Sequence, residues 1–263
     1  MIDIKKAKQV LNEYIKKYDD INPKIKIKKE HILRVADNAR KLAEKIKLSQ
    51  EDIDLAELIG LLHDIGRFEQ IKRFDTFKDR QSIDHAVQGL QVLFDEGLIR
   101  KFLKEDVYDK IIYIAIKNHN KIEIEKGLEE RELLHCKIIR DSDKLDIFNV
   151  IITEPIENAV WFPINDLKKE KITDKVYENI MKDNIARYED LKTNADNMVA
   201  WYAYVYNINF DETLEEIRKR EYIEKMSKKI DYENEETKQR MKNIKEKINK
   251  YIEERLKKII KER

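Results

Sequence analysis

Apolar residues recur along this chain with the three-to-four spacing of amphipathic helices. Ile4, Ala7, Val10/Leu11, Tyr14/Ile15 and Tyr18 fall on one helical face, and Asn22-Pro23 stops that helix. Ile32, Val35/Ala36, Ala39, Leu42/Ala43 and Ile46 mark a second helix, with His31 in its first turn. Ser49 and Asp52 form an N-cap pair, so a helix over 51–64 follows and ends at Gly66. Residues 68–81 show no period and read as a loop. Ser82 is placed to cap a helix that runs to Gly97, a glycine at a C′ position. Further helices are predicted over 105–119 and 129–150. Pro155 and Pro163 then break the chain around Trp161, and helices follow near 174–190, 194–206, 211–229 and 234–261. No internal repeat and no strand pattern is visible.

Composition sharpens this into an all-α expectation. The chain is 41% hydrophobic and 41% charged, with only 5 Gly and 3 Pro among 263 residues, so helices with short links are favoured. The predicted organisation is a first domain over 1–160 and a helical C-terminal extension over 161–263 packed on it. The net charge of +1 comes from 54 basic and 53 acidic residues and argues against a broad nucleic-acid surface. No apolar run approaches the roughly 18 residues of a membrane span, and the amphipathic N-terminus lacks the apolar core of a signal peptide. A single cysteine, Cys136, excludes an internal disulfide and suits a reducing, cytoplasmic setting.

The chemistry concentrates in few residues. The chain has five histidines, at 31, 63, 85, 119 and 135, and four of them fall near a predicted helix end. Imidazole and carboxylate are natural companions around a divalent ion. In "GLLHDIG" the adjacent His63 and Asp64 close an apolar helix, where the turning backbone lets both side chains converge on one ion. His135 lies eight residues before Asp143, about 12 Å along a helix axis, too far to share its ion, and is read as structural. Cys136 is read as a small buried residue rather than a nucleophile.

His31, then His63-Asp64, then Asp143 within "RDSDKLD" closely resembles the HD superfamily of metal-dependent phosphohydrolases. His85 in "SIDHAVQG" and His119 in "IAIKNH" match the two extra histidines of its two-metal members, over roughly residues 25–150. One departure is Ser142, where many members carry Ala. The resemblance implies an all-α HD-domain helical bundle. It also implies a ligand set of His31, His63, Asp64, His85, His119 and Asp143, with Asp64 bridging two divalent ions. Fe, Mn, Co, Ni, Zn and Mg are not distinguished by such a set. The implied activity is hydrolysis of a small phosphate ester or anhydride, a nucleotide being the expected substrate, by metal-activated water. Rival readings are a di-iron oxygenase on the same ligands and a non-catalytic nucleotide sensor.

A phosphate-binding cation is needed as well. Arg67 stands where cyclic-dinucleotide phosphodiesterases of the superfamily carry Lys, and Lys144 follows Asp143, so both are assigned to phosphate with Asp64 in the catalytic set. Against this, Arg67 could simply pair with Glu69, and Lys144 could equally be a solvated helix lysine. Asp84 and Asp141 either hold ligand imidazoles or cap helices. Arg73, Phe74, Phe77 and Arg80 are candidates for substrate contact. Trp201, Tyr202, Tyr204 and Tyr206 read as core. The stripe of Met241, Ile244, Ile248, Ile252, Leu256 and Ile259 serves either to dock the last helix or to form a homodimer.

Overall fold

The computed structural model describes residues 2–18, 21–160 and 162–262, without the side chains of 160 and 259–262. Among these residues the fold is all helical, with no strand. It divides into two compact units, Met1–Asp146 and Ile147–Arg263. This division falls inside a helix, upstream of the proline-marked boundary expected near 160.

The first unit contains α1 (Ile4–Ile15), α2 (Pro23–Lys45), α3 (Gln50–Leu62), α4 (Gly66–Phe74), α5 (His85–Leu90), α6 (Ile99–Phe102), α7 (Asp109–His119) and most of α8 (Glu130–Thr153). The longest contact is between α2 and α3, where the helices cross at Gly60. A Cβ there would lie 2.5 Å from the Ala36 Cα, so only glycine admits this approach. Ile32, Val35, Leu58, Ile59, Leu62 and Phe68 are fully buried in the core. That core braces the residues that carry the site.

Several boundaries differ from the sequence expectation. Asn22 and Pro23 do not merely stop one helix. The Asn22 side chain accepts from Lys24 N and Pro23 occupies the first turn of α2, where its missing N–H costs nothing. His31 therefore sits mid-helix on a buried face rather than in a first turn. Gly66 does not terminate a helix but begins one. The expected loop over 68–81 is helical to Phe74, because the buried Gln70 interrupts the apolar period of α4. Asp84, not Ser82, caps α5, accepting from Ala86 N at 2.9 Å. Helix α5 widens into a π-turn over Gln91–Asp95, and Gly97 follows with the left-handed φ of 75° expected of it.

The second unit contains the end of α8, then α9 (Ile156–Val160), α10 (Ile164–Lys169), α11 (Asp174–Met181), α12 (Asn194–Tyr202), α13 (Asp211–Lys219), α14 (Tyr222–Ser227) and α15 (Glu235–Glu262). The helix expected over 211–229 is two helices, split where Glu221 takes φ 56°. That expected near 174–190 ends at Met181. The stripe Met241, Ile244, Ile248, Ile252 and Leu256 is buried where α15 packs on α11, α13 and α14. It is therefore used inside this unit and supplies no argument for a homodimer. Tyr202 is fully buried, Trp201 stacks on Phe162 with centroids 6.0 Å apart, and Tyr206 packs edge-on to Tyr251. Trp161 and the Ile259 side chain lie outside the described residues. No described helix is long and apolar enough to cross a membrane.

Candidate metal centre

Five helices bring the site together. His31 comes from α2, His63 and Asp64 from the turn after α3, His85 from the start of α5, and His119 from the end of α7. Asp143 comes from α8. Each of the four imidazoles is anchored at Nδ1. His63 Nδ1 donates to Gly60 O at 2.8 Å and His119 Nδ1 to Ile116 O at 2.7 Å. His31 Nδ1 lies 2.7 Å from Asp146 Oδ2, and His85 Nδ1 lies 2.6 Å from Asp79 Oδ2. A neutral ring with its proton on Nδ1 turns its Nε2 lone pair into the site, where an ion could take it.

These lone pairs converge on Asp64. Its Oδ2 lies 3.5 Å from His31 Nε2 and 3.5 Å from His63 Nε2. Its Oδ1 lies 3.3 Å from His85 Nε2 and 3.6 Å from His119 Nε2. Asp143 Oδ1 joins the first pair, 3.1 Å from His31 Nε2 and 3.8 Å from His63 Nε2. Ligand atoms about 2.1 Å from a common ion lie roughly 3.0–3.4 Å apart across octahedral and tetrahedral edges. The observed separations, 3.1–3.8 Å, begin within that range and extend 0.4 Å beyond it.

The residues fit a cation on independent grounds. His31 Nε2, His63 Nε2 and Asp64 Oδ1 are buried without a hydrogen-bond partner among the described residues. Buried polar atoms are rarely left so. His85 Nε2 and His119 Nε2 face each other at 3.0 Å. With both rings protonated only on Nδ1, that contact sets lone pair against lone pair, which a shared proton or a cation would relieve.

Electrostatics follow the same division. Burial disfavours charge on Asp64, but Lys28 and the imidazoles outweigh it and hold its carboxyl well below the usual range. Burial and Lys28 disfavour a proton on His31, yet Asp143, Asp146 and Asp64 push its pKa up to about 10. His85 is pulled down to about 4 by burial and by Arg67. One half of the site thus attracts cations through its carboxylates, and in the other burial and Arg67 disfavour charge on His85.

The remaining candidates take varied places. Arg67 does not pair with Glu69, whose Oε1 accepts from Tyr18. Its Nη1 donates to Gln70 Oε1, Phe77 O and Asp79 Oδ1 within 2.7–2.8 Å, and its Nε lies 3.6 Å from Asp64 Oδ1. Lys144 is buried, with Nζ donating to Arg140 O at 3.3 Å, and burial and Arg140 lower its pKa to about 8. Asp84 serves as a helix cap and accepts from Asn120 and Lys121 rather than holding an imidazole. Asp141 is fully buried. Phe77 is half-buried over the site, whereas Phe74 is exposed and Arg73 turns to Gln88. His135 lies outside the cluster, its Nε2 3.0 Å from Asp52 Oδ1.

Three site residues were missed from sequence. Asp79 and Asp146 orient imidazoles, and Lys28 Nζ donates to Asp64 Oδ2 at 2.7 Å. Only Asp146 carried a usable signal, as the last residue of "DSDKLD", three positions after Asp143.

Comparison with known families agrees with this geometry: residues 29–147 match the HD domain. They form an HD domain. HD domains are as a rule metal-dependent phosphohydrolases, and the His/Asp clusters found here suit divalent ions. No curated protein and no solved structure matches the chain.

Proposed function

We propose that this HD domain is a two-metal phosphohydrolase acting on a small phosphate ester or anhydride, with a nucleotide as the expected substrate. The observation that supports it most is the two-sided setting of Asp64, with His31 and His63 on one carboxylate oxygen and His85 and His119 on the other. In this reading His31, His63, Asp143 and Asp64 hold one divalent ion, and Asp64, His85 and His119 hold the second. Bound there, the ions would lower the pKa of a shared water and neutralise phosphate charge.

The chain's own residues do the rest. The Nδ1 anchors keep every ring in the tautomer that leaves Nε2 bare. Arg67, fixed by three acceptors, carries a guanidinium on the Oδ1 side of Asp64, where a non-bridging phosphate oxygen would find it. Lys144, tied to its own helix, contributes positive field beside Asp143 rather than a mobile contact. Water attacks phosphorus, the P–O bond to the leaving group breaks, and no covalent link to the protein forms.

The test compares metal per chain and single-turnover hydrolysis across a panel of phosphate esters for wild type, Asp64→Asn and His135→Ala. Asn keeps the size of Asp64 but loses the charge, and its NH₂ cannot ligate. Asp64→Asn should hold one ion or none and lose hydrolysis by orders of magnitude, while His135→Ala should keep both. Retention of two ions and near-normal rate by Asp64→Asn would refute the proposal. Oxygen uptake with organic-product oxidation, in place of phosphate release, would favour the oxygenase.

A further inference from the structure

Two protein cations sit on Asp64, one per oxygen. Arg67 Nε faces Oδ1 at 3.6 Å, and Lys28 Nζ bonds Oδ2 at 2.7 Å. Their tethers differ. The Arg67 guanidinium is held by Gln70, Phe77 and Asp79 and cannot leave without breaking three hydrogen bonds. Lys28 stands one helical turn before His31, on the same face of α2. Its ammonium rides on a flexible four-carbon stem, and its side chain is 14% exposed.

We infer that Lys28 is an exchangeable resident cation: it occupies Asp64 Oδ2 in the ion-free chain, gives way when a divalent ion binds, and then grips the substrate's phosphate. The final step rests on the function proposed above; the exchange rests on geometry alone. Oδ2 is the oxygen that also faces His31 and His63. An ion held by those imidazoles and Oδ2 would lie within about 5 Å of an unmoved ammonium, and the repulsion between them would be several times thermal energy even after protein screening. Lys28 has somewhere to go. Its Nζ already lies 5.3 Å from the centroid of the half-buried Phe77, which also carries the Arg67 guanidinium at 5.7 Å. An ammonium moving off Oδ2 keeps this aromatic face as a seat. It then stands beside Arg67, and the two cations suit the non-bridging oxygens of one phosphate group.

The experiment titrates ion-free wild type, Lys28→Gln and Lys28→Arg with Mn²⁺, and then titrates the Mn²⁺-loaded proteins with inorganic phosphate. Removing the competing ammonium should tighten Mn²⁺ binding in Lys28→Gln on the order of tenfold, the scale of one charge-assisted contact. Phosphate binding to the loaded variant should weaken by a similar factor. Lys28→Arg keeps a cation and should stay near wild type in both. In wild type, amine acylation read by mass spectrometry should rise at Lys28 when Mn²⁺ is added, a measurement that needs no variant. Unchanged or weaker Mn²⁺ affinity in a folded Lys28→Gln, or a Lys28 equally protected with and without Mn²⁺, would overturn the exchange. Tighter Mn²⁺ with unaltered phosphate affinity would overturn the phosphate role. A wild type that takes up no Mn²⁺ would bring down this inference and the metal site together.

Discussion

Asp146→Asn changes one atom in a buried carboxyl and should still reach the metal site. In the native chain Asp146 Oδ2 accepts from His31 Nδ1 at 2.7 Å, and Oδ1 accepts from Arg34 Nε at 2.7 Å. Arg34 Nη2 adds a contact to Oδ2 at 3.2 Å. An asparagine offers one oxygen and one NH₂. Arg34 has only donors and reaches both positions, but its Nε contact at Oδ1 is the shorter, 2.7 Å against 3.2 Å for Nη2 at Oδ2, so the oxygen is favoured toward Nε and the NH₂ toward His31. The imidazole can meet an NH₂ only by accepting at Nδ1, which drives the ring proton to Nε2. That is the atom which stands 3.1 Å from Asp143 Oδ1 and 3.5 Å from Asp64 Oδ2. An ion would then have to reverse the tautomer to gain this ligand. Losing an orienting partner of this kind typically weakens metal binding about 10- to 100-fold, or roughly 1.4–2.8 kcal/mol. The assay is Mn²⁺ titration of ion-free protein by calorimetry, with folding checked by circular dichroism. Asp52→Asn is the control, because it makes the same change at the His135 pair. Wild-type Mn²⁺ affinity in a folded Asp146→Asn would refute the tautomer argument, as would an equal loss in Asp52→Asn.

Two further outcomes are expected. Gly66→Ala would place a Cβ 2.3 Å from His85 O and 2.4 Å from Gly89 N, both backbone atoms that cannot rotate aside. Overpacking of this kind costs about 1–3 kcal/mol or more, and α5 must shift with His85 on it. Melting temperature and Mn²⁺ stoichiometry should both fall, and an unchanged melt would show that α4 and α5 are less tightly apposed. His135 concerns pH. Burial lowers its pKa below the ordinary 6.5 despite its bond to Asp52. The unfolded chain therefore takes up that proton first, and the wild type loses stability as pH falls through 6.5. The stability gap between wild type and His135→Gln, from urea unfolding of ion-free protein, should shrink between about pH 8 and about pH 5. A gap that widens toward acid would reverse the assignment.

The helices with continuous apolar faces were legible because burial on one side of a helix imposes its period directly. The spacing of Val35, Ala39 and Leu42 needs only α3 across from it, and Gly97 needs only its own φ. Expectation and structure part where a local signal served a tertiary purpose. Gly66 looked like a helix terminator, but its missing Cβ makes room for the backbone of α5. Gln70 looked like a loop residue, but it is buried and donates to Asp79, Ser82 and Ile83. A polar residue at a core position erases the amphipathic period of so short a helix. Glu221 in the left-handed region likewise splits a continuous-looking helix without any glycine to announce it.

The same distinction governs the site. The clustered histidines and the His63-Asp64 pair stand out in sequence because ligand chemistry restricts residue type. The groups that make those ligands usable are less restricted. Any carboxylate within reach can hold an Nδ1 proton, and the chain has 53 acidic residues from which to choose. Asp84 precedes His85 directly, yet its carboxylate is turned to the N–H of Ala86 and to Lys121. Asp79, six residues away, orients His85 instead, because the turn over Asp79–Gln81 brings it back against the ring. Lys28 is one of four lysines between Lys24 and Lys29. Only the crossing of α2 over α3, fixed by the close approach at Gly60, brings its ammonium to Asp64. Ligands are thus legible from chemistry, while their supports depend on where helices cross. A substitution at the α2–α3 crossing should therefore disturb the Lys28–Asp64 contact as surely as a change in either residue.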